Sequence, residues 1–142
     1  MDWTLFEKGV FLVNLLGIIY DPTTKQILIG KRVNDDHFKG LSWVFPGGRP
    51  DYKTDLEPNL ALEIQANTGL TVDVQKLVYA KTYPEKREFL SVYFLCAVTA
   101  GQATPQPGGN LSELKWIKPT DVTDYFTTSI HANVFDYLKT LE

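Results

Sequence analysis

The spacing of apolar and polar positions divides the chain into segments of two kinds. Residues 10–20, VFLVNLLGIIY, are an almost unbroken run of bulky aliphatic side chains, which predicts a buried strand. Asp21-Pro22 opens a turn, and residues 26–33, QILIGKRV, predict a second strand able to pair with the first as a hairpin. Residues 34–40 are polar enough for a loop. Residues 43–45 return the chain to the core until Pro46 interrupts the pattern.

The period then changes. Asp55 can cap free backbone donors at a helix start, and a proline at Pro58 is tolerated there because its missing N–H would have had no partner. Leu56, Leu60 and Ile64 recur at intervals of four and supply the apolar stripe, and Gly69 predicts the stop. Residues 70–80 read as a strand with a break in alternation, so a bulge or bend is expected. TYPEKRE at 82–88 has the composition of an exposed turn. FLSVYFLCAV at 89–98 is the strongest strand signal and predicts a central position. Residues 101–110, GQATPQPGGN, are a connection too short for a domain linker; 114–117 predict a short strand and 129–141 a closing helix. The sum predicts a single domain over residues 1–142, an α/β sandwich with a mixed, largely antiparallel sheet.

Composition narrows this picture. A chain of 142 residues with 44% hydrophobic content can bury one sizeable core. A formal charge of -3 argues against a duplex nucleic-acid binder, although Lys25, Lys31 and Arg32 leave room for a local basic patch. Cys96 is the only cysteine, which excludes an internal disulfide and a cysteine zinc cluster; its simplest role is a small buried strand residue. His37 and His131 are the only histidines, the first expected in an exposed loop and the second as a cap or surface residue of the last helix. MDWTLFEKG lacks a basic leader, and 11–20 is too short for a membrane span, so a cytoplasmic, non-membrane protein is expected.

Candidate chemistry concentrates at WVFPGG and the helix after it. Gly47 and Gly48 have no Cβ to obstruct a tight turn or a close ligand, and a strand, a glycine loop and a helix in this order can hold an anion or a metal phosphate. Arg49, just beyond the glycines, and Arg32, at the end of the second strand, are suited to phosphate contacts, with Lys31 as a more exposed neighbour. Phe11, Tyr20, Trp43, Phe45, Tyr83 and Tyr93 can either fill the core or stack on a ring.

QILIGKR, WVFPGG, the helix ending at Gly69 and the later Glu113 and Trp116 together resemble the Nudix family over nearly the whole chain. The family's box, G-x5-E-x7-R-E-U-x-E-E-x-G-U with U a bulky aliphatic, lies on Gly48 to Leu70 without a gap. Gly48, Glu63, Ile64, Gly69 and Leu70 match it. Thr54 stands for the first glutamate, Leu62 for the arginine, and Ala66 and Asn67 for the last two glutamates. The resemblance implies hydrolysis of a nucleoside diphosphate linked to another group, assisted by Mg²⁺ or Mn²⁺, with water attacking one phosphorus. Catalysis would fall to Glu63 and Glu113, and metal ligation to Glu63, Glu113 and Asn67. Arg32, Gly47, Gly48 and Arg49 would meet substrate, and Asp51, Asp55 and Glu57 are nearby acids.

The departures bear on the chemistry. Glu63, Ala66 and Asn67 share a helical face, where three carboxylates would offer hard oxygen ligands; Ala66 offers none, and Asn67 only a neutral carbonyl oxygen. Two readings therefore stand side by side: weak or rewired hydrolysis, and a nucleotide-binding or protein-interaction module that keeps the fold without turnover. A second copy of the chain is a further candidate partner, through exposed strands or loops.

Overall fold

The computed structural model describes residues 2–33 and 42–142. The polar loop expected at 34–40, and His37 with it, lies outside the described residues. A short 3-10 turn at Trp3–Phe6 precedes the first strand. The strands are β1 (Leu12–Asp21), β2 (Gln26–Arg32), β3 (Trp43–Val44), β4 (Gly47–Gly48), β5 (Thr71–Thr82), β6 (Phe89–Ala100) and β7 (Leu111–Ile117). Helix α1 (Leu56–Thr68) lies between β4 and β5, and α2 (Val122–Tyr125) and α3 (Ala132–Lys139) close the chain.

These strands form one sheet ordered β3-β2-β1-β6-β5, with β4 paired to β1 and β7 to β2. Among the described residues only the β1–β6 pair is parallel, so the mixed, largely antiparallel sheet expected from the pattern is present. The long apolar runs explain the interior places of β1 and β6: strands buried on both faces need no polar alternation. In β5, register shifts between Val74 and Lys76 and between Leu77 and Tyr79 account for its broken pattern.

The expected β1–β2 hairpin is short. The two strands pair only at Tyr20–Ile27 and Asp21–Gln26 and then separate, with β3 bonding to β2 and β4 bonding to β1 between them. That divergence opens the molecule.

Two apolar clusters lie on the two sheet faces. Leu60 and Ile64 of α1 pack with Leu15, Ile19, Leu28 and Val92 on one, while Val134 and Leu138 of α3 pack with Ile18, Ile27, Ile29, Phe45 and Tyr93 on the other. Full burial of Leu60 and Ile64 contributes about 1.5–3 kcal/mol each as an upper bound. Helix α1 starts and stops as expected: the Asp55 carboxylate accepts from Leu56 N–H at 2.7 Å, and Gly69 adopts φ 77° while its N–H bonds Gln65 C=O. Among the described residues, no helix is long and apolar enough to cross a membrane.

Candidate functional site

A cleft of about 1110 Å³ opens where β1 and β2 diverge. Arg32, Gly47, Gly48, Arg49, Glu63 and Asn67, six of the seven residues expected at the site, line it together. Its volume is just above the usual range of small-molecule pockets.

The glycines position the wall near α1. A Cβ at Gly47 would collide with the Leu15 carbonyl oxygen, so glycine alone lets β4 lie this close to β1. A Cβ at Gly48 would fall 2.5 Å from Glu63 Oε2, so the bare backbone there provides the space for that carboxylate. Glu63 is half-buried. Removal from water, and then the charge of Asp51, hold its carboxyl above the usual glutamate range.

Asn67 has a different task from the one its place in the box suggests. Its Nδ2 donates to Gly47 C=O at 3.2 Å and to Glu63 C=O at 2.9 Å, and its Oδ1 accepts from Asn110 N–H at 2.9 Å. Both ends of a buried amide are thus engaged by backbone, tying α1 to β4 and to the turn before β7. Ligation of a metal by Asn67, as expected from the box, competes with that bond. Ala66 beside it is exposed and carries no donor.

Glu113 does not reach the cleft. On β7 it pairs opposite Lys31, is exposed, and alternates with Lys115 and Ile117, whereas Leu114 and Trp116 pack toward α1. The strand period therefore places it on the sheet face away from Glu63, beside two lysines. The expected Glu63–Glu113 pair is not assembled because sequence distance carries no information about which sheet face a strand residue takes.

Among the described residues, no three His, Cys, Asp or Glu side chains converge to hold a metal ion. The acid closest in effect to Glu63 is Asp51, whose Oδ1 accepts from Lys53 N–H at 2.9 Å within its own turn. One half-buried carboxylate and one loop carboxylate do not make the three-acid face that the family pattern calls for, so this donor set does not fit the divalent cation implied by the resemblance. Asp55 is a cap, and Glu57 is exposed in the first turn of α1.

The wall facing α1 is aromatic and basic. Phe89, at the start of β6, has Arg49 Cζ 6.0 Å and Lys86 Nζ 5.1 Å from its ring centroid. Tyr83, Tyr93 and Ser91 lie beside it, and burial and then the Tyr83 phenol push the Tyr93 phenol well up from its ordinary value. Phe45 packs edge-on against Tyr93 at 5.9 Å and Phe126 at 5.0 Å and forms the apolar base of the cleft. Buried Ser91 pairs with Asn14 across the β1–β6 ladder, which gives this base two polar side chains. At the rim, Ser129 Oγ donates to Glu85 Oε1 at 2.6 Å and joins the β5–β6 turn to the loop before α3.

Of the six aromatics considered from sequence, Trp43, Phe45, Tyr83 and Tyr93 line the cleft. Phe11 is instead exposed, and the Tyr20 hydroxyl donates to Leu141 C=O at 2.7 Å, away from it. His131 caps α3 by accepting from Asn133 N–H at 3.1 Å and stacks on Tyr79. Cys96 is buried, with its thiol pushed up to about 12 by burial and then Asp73, which disfavours the thiolate.

Sequence reasoning passed over Asn14, Asn59, Lys86, Phe89, Ser91 and Phe126. A buried Asn59 accepts from Asp51 N–H and donates to the Asp51, Thr54 and Asp55 carbonyls, fixing the loop between β4 and α1. A polar residue on the stripe side of a helix is the one signal that pointed to it.

Comparison with known proteins agrees with this architecture. The NUDIX domain family matches residues 11–138. Among solved structures, the MutT protein of Methanosarcina mazei Go1 superposes with a TM-score of 0.72 at 16% identity, covering 93% of each chain. An ADP-ribose pyrophosphatase from Streptococcus suis 89-1591 gives 0.66 at 17% identity, over 91% of this chain and 90% of that one. MutT from the study of Aliivibrio salmonicida and Vibrio cholerae gives 0.68 at 21%, over 91% and 96%. Among curated proteins, none matches.

Proposed function

The chain belongs to the Nudix family, and on that premise we propose that its cleft binds a nucleotide-like ligand, a planar ring joined to an anionic group, without metal-assisted hydrolysis. The observation that carries this reading is Asn67: where the family pattern has an acid, its amide is bonded at both ends to Gly47, Glu63 and Asn110 backbone. With Ala66 next to it, Glu63 is the one box acid left. Phosphorus chemistry of this kind depends on positioned charge beside the diphosphate, which one carboxylate supplies poorly.

The rest of the cleft supports binding. Aromatic surface from Phe45 and Phe126 suits a planar ring, Asn14 and Ser91 offer hydrogen-bonding groups toward its polar edge, and Arg32, Arg49 and Lys86 suit an anion. One observation favours a second reading, a rewired hydrolase: Asp51 lies close enough to Glu63 to raise its pKa, and a divalent cation between the two would relieve that repulsion.

Calorimetric titration with nucleosides and nucleotides in EDTA and in Mg²⁺, beside a phosphate-release assay on a panel of nucleoside diphosphate derivatives, separates the two. Binding in EDTA with no release above the protein-free control is expected. Mg²⁺-dependent release that Glu63→Gln abolishes would overturn the proposal in favour of the hydrolase.

A further inference from the structure

We infer that the anionic end of the ligand sits on a metal-free subsite built around Phe89, with Arg49 and Lys86 as its cations and a phosphate or diphosphate group as its occupant. This inference rests on the binding reading above and adds where the charge goes.

Three observations carry it. The two cations come from separate elements, Arg49 from the end of β4 and Lys86 from the β5–β6 turn, yet both lie against one ring, at 6.0 Å and 5.1 Å from its centroid. The ring therefore holds two positive charges at the cleft wall through its electron-rich face, an attraction that a phosphate easily exceeds. Second, nearby acids neutralise them little. Among the described residues no ion pair involves Arg49, and Lys86 meets only Glu88, at 4.0 Å in an exposed pair. Glu85, the other acid on this rim, keeps its charge but directs its carboxylate at the Ser129 hydroxyl, and among the described residues it forms no ion pair with either cation.

Third, the α1 wall repels the same group. Glu63 lies against Gly48, the residue before Arg49, so its carboxylate borders this side of the cleft. An anion entering the cleft without a cation is driven from that side toward Arg49 and Lys86. In the family pattern acids on the helix recruit a metal that neutralises the phosphates; here basic side chains on the facing wall neutralise them directly.

The test uses the full chain in EDTA. Titrations compare adenosine, guanosine, cytidine and uridine with their 5′-diphosphates, on the native protein and on Arg49→Gln, Lys86→Gln and the double variant. At least one diphosphate is expected to bind about tenfold or more tighter than its nucleoside, as charge-assisted contacts provide. That advantage shrinks as salt rises and is lost in the double variant, while the nucleoside affinity stays the same. Glu63→Gln is expected to tighten the diphosphate by about threefold, the scale of an exposed charge interaction, whereas a metal-bridged mode requires it to weaken. A diphosphate advantage that survives the double variant, or that arises only with Mg²⁺, overturns the subsite and leaves the ligand class intact. No binding by any nucleoside or diphosphate overturns the ligand class and the subsite together.

Discussion

On the α1 wall of the cleft, Asn59 and Asn67 are buried and turn their amides onto loop backbone; on the facing wall, Arg49 and Lys86 hold their charges over an aromatic ring, at the surface of the cavity. Both walls are polar, but the first uses its polarity to keep three backbone segments together and the second keeps it available. The difference follows from satisfaction. A buried amide with every donor and acceptor paired is costly to disturb, and exposed cations held by a ring and, for Lys86, a loose surface ion pair can exchange those contacts for a phosphate at little loss. On the reading proposed above, the helix that carries the family's box serves mainly the structure, and ligand handling falls to the wall across the cleft.

Substitutions can break this contrast. Gly47→Ala is expected to have the largest effect, because the added Cβ meets the Leu15 backbone, which cannot rotate away. A loss of about 3 kcal/mol in denaturant unfolding is expected, the upper end for overpacking. Asn67→Ala comes next. It removes the side-chain partner of the Gly47 carbonyl and of the Asn110 N–H, at about 2 kcal/mol. Lys86→Gln on the other wall should stay within about 0.5 kcal/mol, as exposed substitutions do. Equal losses for Asn67→Ala and Lys86→Gln would erase the distinction between the walls.

Glu63 sharpens the contrast through pH. Its carboxyl titrates higher in the folded state than in the unfolded chain, so the folded state binds more protons between those two values and stability falls as pH rises through that interval. At pH 7 the ionised group opposes folding. Glu63→Gln should therefore melt at a higher temperature than the native protein at pH 7. The gap should close toward pH about 4 and below, where carboxylates become neutral in both states. A variant that melts lower at pH 7 would mean that the carboxylate has a stabilising partner.

The smallest effect is expected at the rim. Ser129→Ala removes the hydrogen bond to Glu85 and should change unfolding free energy by less than about 0.5 kcal/mol. The Glu85 carboxyl, held below its ordinary range chiefly by that bond, should move back up in an NMR titration.

How much of this the sequence showed depends on the kind of residue. The caps of α1 at Asp55 and Gly69, the buried stripe of Leu60 and Ile64, and the bulged course of β5 follow from local preferences that act over a few residues, and they are found as the pattern predicts. That Gly48, Arg49, Glu63 and Asn67 line one cleft follows from a continuous motif that carries its own spacing, whereas Arg32, from β2, is brought there by the sheet. Glu113 was misplaced because one residue of register decides which sheet face it takes, and register comes from β2 and β7 together.

The sequence by itself determined the family, the order of elements and the missing acids at Ala66 and Asn67, since each is written in residue identity and local period. Only the tertiary structure decided what replaced them. Asn67 bonds to Asn110, 43 positions away, and Arg49 and Lys86 meet over Phe89 because β4 and the β5–β6 turn converge. Such contacts depend on which segments the sheet order brings side by side, and no window of the chain contains both partners' surroundings.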